Sequence, residues 1–322
     1  RLPLSAYIPA RRIKGEDDEF LSRPRFLAIS EFGPRSIIYH EGSRYVINKV
    51  NLPVAESGEG LALTRAKQCS ICGYLHLITS GDGVDRCEHC GAGLGTSLDN
   101  LFRLQNVSTK RRDRISSDEE ERMRQGYELR TAIRFAEHGG MVSARSAEVV
   151  YDGKPLGTLL YGHAATLWRI NLGWRRRSNQ TQYGFILDTE RGYWARKEDD
   201  ESGTEGDDNL SPSTKRVIPF VEDHKNSLIF TPAEHLEPDR MASLQAALKN
   251  AIQVEFQLED SELAAEPLPS NADRRSILFY EAAEGGAGVL RRLVDDAEVF
   301  ARVAMQALQI CHFDPMTGED QG

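Results

Sequence analysis

Long apolar stretches are absent from this sequence of 322 residues. A membrane-spanning helix needs about 20 consecutive apolar residues, and no segment approaches that length. A signal peptide is not expected either, because Pro3 and Pro9 interrupt the first residues and a basic run follows at 11–14. We therefore expect a cytoplasmic protein that contacts no membrane. The chain begins at Arg1 rather than at a methionine, which favours a piece of a longer polypeptide over a processed start.

Catalytic motifs are also missing. The sequence has neither the GxxxxGK(S/T) loop that cradles nucleotide phosphates nor the GxSxG turn of α/β-hydrolases. Carboxylates and histidines are plentiful, yet no spacing selects a pair of them for acid–base chemistry. We assign no catalytic residue to this chain, and an unrecognised nuclease or hydrolase stands as a third hypothesis behind the two given below.

The bulk composition is that of a soluble globular protein. Hydrophobic residues make up 40% and charged residues 28% of the sequence. The length exceeds what one ordinary hydrophobic core accommodates, so we expect two or three domains. A formal net charge of -9 argues against a uniformly basic surface for nucleic acid. Local basic patches remain compatible with it, because binding depends on where the charge lies.

Cysteine is scarce, with five residues, and four of them form two C-x2-C pairs. Cys69 and Cys72 are separated by fourteen residues from Cys87 and Cys90, the spacing of ribbon-type zinc sites. Two residues between cysteines let a tight turn direct both sulfurs at one ion, and four thiolates leave no position for water. We predict a structural Zn²⁺ site. Iron remains an alternative, because sulfur ligation alone does not exclude it.

The pattern of strands, turns and helices predicts a mixed α+β fold in three parts. Residues 1–60 are expected to form a linker and a small β-barrel-like unit, and residues 61–105 a four-cysteine zinc ribbon. Residues 106–322 are expected to form a mixed α/β region with a long C-terminal helix and a flexible acidic loop near 197–214.

Individual elements follow from the apolar periodicity. Strands are predicted at 26–29, 127–135, 147–151, 166–171, 183–187 and 276–280, with hairpins around a turn at 40–43 and over 216–230. Helices are predicted from Ser117, over 241–256, and from the glycine-rich turn near 288 to about residue 310.

Basic residues cluster in three runs, at 11–14, at 110–114 and at 174–177. The third run places guanidinium groups beside an indole, a combination that binds single-stranded nucleic acid by stacking and phosphate contacts. A solvated charged face is the alternative for each run. We predict that at least one run contacts phosphates; the candidates are Lys110, Arg111, Arg112, Arg114, Trp174, Arg175, Arg176 and Arg177.

A glycine-rich turn joins the strand at 276–280 to the last predicted helix. It contains Gly285, Gly286 and Gly288. Free N–H groups and the helix dipole at such a turn can hold a phosphate or a carboxylate. A sharp strand-to-helix connection also needs glycines for close packing. Anion binding and a packing turn are therefore both open.

Several motifs in combination resemble the C-terminal region of MrfA-like (YprA-like) DEAD/DEAH-box DNA helicases, over nearly the whole chain. They are RPRFLAISEFGP at 23–34, YHEGSRY at 39–45, the two cysteine pairs, YEAAEGGAG at 280–288 and ICHFDP at 310–315. Within that family the chain is most similar to the DrmA helicases of the DISARM anti-phage defence system.

The resemblance implies a region that follows two RecA-like ATPase lobes, carries a cysteine-bound zinc and belongs to a motor that unwinds or translocates DNA. ATP and Mg²⁺ are expected only in those lobes, outside this chain. The implied partners are single-stranded or tailed DNA, the ATPase lobes and a protein of the defence complex. The resemblance also implies that Cys311 is the first ligand of a second metal site, with its other ligands beyond Gly322.

Two hypotheses of different classes follow. The first is an accessory zinc-binding C-terminal region of a superfamily-two DNA helicase or translocase, which contacts DNA, a partner subunit or both. The alternative is a protein-interaction module that docks a defence-system partner without touching DNA.

Overall fold

The structure is a computed structural model that describes residues 2–10, 17–53, 60–112, 126–196, 210–283 and 285–322. The strands in these ranges are β1 (Leu4–Ile8), β2 (Glu19–Arg23), β3 (Ile37–His40), β4 (Ser43–Val50), β5 (Thr64–Gln68), β6 (Leu75–Ile78), β7 (Leu98–Arg103), β8 (Val107–Arg111), β9 (Tyr127–Arg134), β10 (Glu137–His138), β11 (Met141–Val142), β12 (Arg145–Tyr151), β13 (Lys154–Trp174), β14 (Phe185–Asp188), β15 (Thr214–Pro232), β16 (Leu263–Pro269) and β17 (Arg274–Glu281). The helices are α1 (Arg25–Glu31), α2 (Pro238–Phe256), α3 (Val289–Asp295) and α4 (Val299–Ile310). None of these four helices has the length and apolar character needed to cross a lipid bilayer. The fold is mixed α+β, as predicted.

A five-stranded sheet with the order β2-β1-β8-β4-β3 forms the first part of the fold. Its two edge strands meet, because Nε2 of His40 on β3 lies 2.5 Å from Oε2 of Glu19 on β2. The sheet is therefore curled, which confirms the barrel-like unit. Its middle strand, β8, comes from the residues after 105, so the unit recruits a strand from the region predicted to be separate.

The predicted hairpin around 40–43 is confirmed, whereas the strand predicted at 26–29 is wrong. Glu41 and Gly42 both have positive φ and form a two-residue turn between β3 and β4. Residues 26–29 lie in α1 instead, with Ala28 and Ile29 fully buried. A four-residue apolar run fits a buried strand or one buried helical turn equally well, so its periodicity could not decide.

The second sheet has ten strands, and the long pair β13 and β15 forms its centre. The predicted hairpin over 216–230 is wrong, because residues 214–232 form the single strand β15. The charged run at 222–225 resembles a turn in the sequence, but these residues pair with 165–168 of β13. Their charges are satisfied beside the sheet: Glu222 forms an ion pair with Arg103 at 2.7 Å, and Lys225 with Asp223 at 3.4 Å.

The cysteine-containing segment belongs to this second sheet. β7 pairs in parallel with β15, β5 pairs with β7, and β6 pairs with β5. The predicted boundaries at 60 and 105 remain predictions, but hydrogen-bonded pairing runs across the second of them. This pairing is between strands more than 100 residues apart, which local sequence patterns do not encode.

Three helices cover part of the second sheet. α2 contacts β16 and β17, and α4 contacts α2. The helix predicted over 241–256 is confirmed and begins earlier, at Pro238. The long C-terminal helix is divided into α3 and α4, because Asp296 adopts an extended conformation and its Oδ1 accepts the N–H of Glu298 at 3.0 Å. An aspartate that bonds to a nearby backbone N–H competes with the helix.

Some predicted features lie outside the described residues. These are the helix from Ser117, the basic run at 11–14, Arg114 and positions 197–209 of the acidic loop.

Asp188, at the end of β14, is a buried carboxylate that closes the connection to β15. Its Oδ1 accepts the N–H groups of Glu190 and Arg191 and the hydroxyl of Ser211, and its Oδ2 accepts the N–H of Ser211 at 2.7 Å. Burial by itself raises the pKa of Asp188, but these hydrogen bonds outweigh it and hold the pKa below its ordinary value. The charged carboxylate is therefore part of the folded structure.

We expect Asp188→Asn to lower the free energy of unfolding by about 2 kcal/mol at neutral pH, because an amide nitrogen would face N–H donors. The pKa of Asp188 falls on folding, so its contribution is present above the unfolded pKa and is lost as pH falls through the folded pKa. Chemical denaturation of the wild type and of Asp188→Asn should therefore show a difference in the free energy of unfolding that becomes smaller as the pH falls. Asp273→Asn is the control, since that carboxylate is 42% exposed beside Arg275. An equal loss of unfolding free energy in Asp188→Asn and Asp273→Asn would contradict the role of Asp188.

Candidate metal centre

Four cysteines converge between β5 and β7. Cys69 and Cys72 follow β5, and Cys87 and Cys90 lie between β6 and β7. All four sulfurs lie within 4.8 Å of one another, with Cys69–Cys90 and Cys72–Cys87 sulfur distances of 3.6 Å. Zn–S bonds of about 2.3 Å correspond to a tetrahedron with sulfur–sulfur edges of about 3.8 Å. The donor set therefore fits one tetrahedral zinc ion, and its spacing is far longer than a disulfide bond.

Two equivalent turns aim the sulfurs inward. In the first, the N–H of Cys69 donates to the carbonyl of Tyr74 and the N–H of Gly73 donates to the carbonyl of Cys69. The second turn, around Cys87 and Gly91, repeats both hydrogen bonds with the same spacing. Both glycines have positive φ, of 78° and 74°, which residues with a side chain rarely adopt. The glycine after each C-x2-C pair is thus part of the metal-binding turn.

The thiols differ in how readily they ionise. Burial opposes ionisation of Cys69, but N–H groups of Cys72 and Ile71 directed at its sulfur outweigh this and lower its pKa. Burial raises the pKa of Cys72 and of Cys87. A metal ion must therefore displace protons from these two thiols, so its binding is coupled to proton release and weakens in acid.

A polar network borders the sulfurs. Nε2 of the buried His76 lies 3.4 Å from Sγ of Cys87, and its Nδ1 lies 3.5 Å from Oε2 of Glu88. Arg134 donates to the same carboxylate oxygen at 3.0 Å. Burial lowers the pKa of His76, which favours the neutral ring. Such a ring supports a thiolate from outside the tetrahedron. No sequence spacing links Arg134 to the cysteines, so only the fold reveals its place.

The site is also part of a hydrophobic core. Cys69 and Cys87 are buried in one cluster with Ile133 of β9, Leu167 of β13 and Leu278 of β17. An ion at this position would connect the loops of the ribbon to three strands of the large sheet. With four sulfur donors the coordination is closed, so the site organises structure and offers no open position to activate water.

The basic candidates are distributed over both parts of the fold. Lys110 and Arg111 lie at the end of β8, and Arg112 follows them. Arg175 and Arg176 are exposed after β13. Their contact with nucleic acid remains a prediction.

Trp174 and Arg177 do not have the exposure expected of nucleic-acid contacts. Trp174 is 8% exposed and stacks on Tyr127 with ring centroids 4.3 Å apart, so it has no open face for a base. Arg177 is also buried; it donates to the carbonyls of Trp174 and Gln180 and forms an ion pair with Glu128 at 2.7 Å. The aromatic part of this basic run belongs to the core, which its sequence could not show.

The glycine-rich turn holds an anion that belongs to the protein itself. Oε2 of Glu281 accepts the N–H of Gly288 and the amide of Asn226, and its Oε1 accepts the N–H of Leu290 in the first turn of α3. A Cβ on Gly286 would lie in contact with Oε2 of Glu281 at 2.1 Å. The N–H groups of Gly288 and Leu290 are therefore already used by a carboxylate of the protein, which favours the packing turn, and binding of an external anion stays a prediction.

Comparison with known proteins adds a family match over part of the chain. Residues 244–316 match the MrfA Zn-binding domain family. No curated protein matches the chain.

Solved structures of one helicase are distantly similar. The crystal structure of the DUF1998 helicase MrfA bound to DNA shows 10% identity and a TM-score of 0.43, over 100% of this chain and 32% of that one. The crystal structure of the DUF1998 helicase MrfA shows 10% identity and a TM-score of 0.37, over 96% of this chain and 30% of that one. The crystal structure of MrfA bound to DNA and AMPPNP shows 9% identity and a TM-score of 0.33, over 96% of this chain and 27% of that one. The chain spans about a third of the length of these proteins.

The matched stretch and the four-cysteine cluster are different parts of the chain. Residues 244–316 contain Cys311 and none of the clustered cysteines. Cys311 is exposed at the end of α4, and among the described residues it belongs to no group of three or more side chains placed to ligate a metal. The second metal site implied by the resemblance stays a prediction.

We expect Cys72→Ser to lose the zinc held by the wild-type chain, because a hydroxyl replaces one of four thiolates. Metal analysis of the purified protein, for zinc and iron together, measures this directly. Cys311→Ser makes the same chemical change at an exposed cysteine outside the cluster and should retain this zinc. Equal metal content in the two variants would rule out the four-cysteine assignment.

We expect Gly286→Ala to be destabilised more than Gly285→Ala. Both positions have positive φ, where alanine costs about 1 kcal/mol. At Gly285 a Cβ meets nothing within 4 Å, whereas at Gly286 it meets the Glu281 carboxylate. Thermal denaturation of both variants isolates that contact, and identical melting temperatures would show that Glu281 does not occupy the turn.

Proposed function

We propose that this chain is the accessory zinc-binding C-terminal region of an ATP-dependent superfamily-two DNA helicase or translocase. The match of residues 244–316 to the MrfA Zn-binding domain carries this proposal. The motifs that resemble MrfA-like helicases over nearly the whole chain support it. ATP and Mg²⁺ would bind to the ATPase lobes outside these residues, and those lobes and single-stranded or tailed DNA would be the partners. The expected location is the cytoplasm.

A finer proposal concerns the biological setting. The motifs of this chain resemble those of MrfA-like helicases, the DrmA helicases among them, so we propose a role in DISARM anti-phage defence with a protein partner from that system. Loss of phage resistance when the gene is deleted from its host, and its return on complementation, would test this. Unchanged plaque counts would refute it.

In this proposal the zinc site has a mechanical role. Its ligands share a core with β9, β13 and β17, and the exposed Arg175 and Arg176 follow directly from the end of β13. A fixed sheet holds such side chains in place with little loss of conformational entropy on binding. The zinc would thus hold a DNA-contacting surface in shape without touching DNA.

The alternative, a protein-docking module, is favoured by one observation. Two hairpins present apolar side chains to solvent: Met141 and Val142 on β11 are 74% and 53% exposed, and Val150 and Tyr151 at the end of β12 are 51% and 75% exposed. On each hairpin the two exposed apolar residues are adjacent, and adjacent exposed apolar residues are typical of interaction sites. The two functions need different surfaces, so they can be tested separately.

We expect the double variant Arg175→Glu, Arg176→Glu to bind single-stranded DNA at least about tenfold more weakly than the wild type, because two phosphate-attracting charges are reversed. Fluorescence anisotropy over a series of salt concentrations measures this. Met141→Ser, Tyr151→Ser is the control, and it should keep DNA affinity. The reverse pattern, with DNA affinity unaffected by the arginines and partner binding lost in the hairpin variant, would support the docking module instead.

A further inference from the structure

We propose that β12 pairs with the β12 of a second copy of this chain, so that the large sheet continues across a two-fold axis. β12 forms one edge of that sheet, because among the described strands it pairs with β13 alone. Five of its seven residues are exposed, and none of the seven is a proline or a glycine. This inference goes beyond the proposed function and does not rest on it.

The pairing of β13 with β15 determines which polar groups of β13 face β12. The carbonyl of Leu156 accepts the N–H of Ala233, so the polar groups of Leu156 point toward β15. Gly157 lies opposite Pro232, which has no N–H to donate. Hydrogen-bonded and non-hydrogen-bonded pairs alternate along an antiparallel ladder. Gly157 and residues 159 and 161 therefore direct their backbone polar groups toward β12.

The outer edge of β12 consequently carries open hydrogen-bonding groups. The β12 partners of residues 157, 159 and 161 are residues 149, 147 and 145, whose polar groups are used within the sheet. Ser146 and Glu148 alternate with them, so their N–H and carbonyl groups point away from β13. Within the part of the chain that the structure describes, no other strand pairs with these groups. Such an edge is a template for a further strand.

β16, another edge strand of the same sheet, is protected, whereas β12 is not. β16 carries Pro267 and Pro269, which cannot donate to an added strand. The carbonyl of Ala265 on β16 accepts a hydrogen bond from the side chain of Gln245 on α2, at 3.1 Å. Proteins commonly protect edge strands by such means, because an open edge pairs with other chains. The contrast indicates that the edge of β12 is kept open for a partner strand.

The side chains of β12 complement those of a second copy. Around a two-fold axis only residues with outward polar groups form hydrogen-bonded pairs, which leaves three registers for Ser146 and Glu148. Glu148 opposite Glu148 brings like charges together. Ser146 opposite Ser146 places Glu148 opposite Ala144, which offers its carboxylate no side-chain donor. Ser146 opposite Glu148 lets both hydroxyls donate to carboxylates and places Ala147 beside Ala147, so this register is favoured.

A two-fold axis also accounts for the exposed apolar side chains at both ends of β12. Met141 and Val142 precede its start, Val150 and Tyr151 form its end, and all four are more than half exposed. Antiparallel pairing brings the start of one strand to the end of the other, so these apolar groups of the two copies would meet. Hydrogen bonds contribute little net free energy in water, so apolar contact supplies much of the affinity. A second copy therefore matches both the charges and the apolar residues of this edge.

The test measures the dimer dissociation constant of the full zinc-loaded chain by sedimentation equilibrium over a series of protein concentrations. Ser146→Lys places an attractive charge beside Glu148 of the second copy, and Ser146→Glu places a repulsive one there. Ser243→Lys and Ser243→Glu are the matched controls, because Ser243 is an exposed serine on α2, outside this edge. Melting temperatures verify that every variant is folded.

We expect the wild type to dimerise. Ser146→Lys should lower the dissociation constant and Ser146→Glu should raise it, each on the order of tenfold, because two symmetric pairs change in every dimer. Ser146→Glu combined with Glu148→Lys should restore the affinity, since the opposed charges then attract again. Both Ser243 controls should match the wild type. Met141→Ser with Tyr151→Ser should also weaken the dimer, because it removes apolar contact.

A wild type that stays monomeric throughout the concentration series would overturn the proposal and leave the edge to a strand of a different chain. A dimer with the same dissociation constant in all Ser146 variants would overturn it too, because another surface would then join the copies. Weaker dimers with either charge at Ser146 would overturn the register of Ser146 opposite Glu148. None of these outcomes depends on DNA binding, so the proposed function is tested separately.

Discussion

The antiparallel pairing of β13 with β15 is the constraint on which the rest of the structure depends. β9 and β12 pair with β13, and β7, β14 and β17 pair with β15. The remaining strands of the large sheet join through these. α1, from the first part of the chain, also packs against both long strands. The positions of the cysteine cluster and of the basic run after β13 are therefore set by two strands that 39 intervening residues separate along the chain.

The cysteine cluster stabilises loops that have little hydrophobic core of their own. The loops that connect β5, β6 and β7 are short of apolar residues and rich in glycine, so hydrophobic burial alone gives them little stability. Four thiolates around one ion replace that missing core. Because Cys69 and Cys87 are buried in the same hydrophobic cluster as Leu167 of β13, the metal site joins the loops to the centre of the sheet. Metal binding and folding are then one coupled equilibrium.

The local turns, the helix and the metal-binding motif of this chain can be predicted from its sequence, whereas the pairing of distant strands cannot. The C-x2-C spacing predicted the four sulfurs, and the turn at 40–43 and the helix over 241–256 follow from turn chemistry and periodicity. The charged run at 222–225 was misread as a turn because its partners lie about 60 residues away on β13. The burial of Trp174 could not be predicted for a related reason: only the fold places Tyr127 against its ring.

At two features that could attract an external anion, a carboxylate of the protein already contacts some of the donors. At the glycine-rich turn Glu281 reaches the N–H groups of Gly288 and Leu290 from the adjoining strand, so these two donors are satisfied internally. In the basic run after β13, Arg177 forms an ion pair with Glu128 and donates to the carbonyls of Trp174 and Gln180. On a chain with a net charge of -9, long-range repulsion disfavours a polyanion over most of the surface. A local basic patch on such a chain would therefore contribute orientation as well as affinity, because it is the place at which an approaching phosphate backbone is attracted.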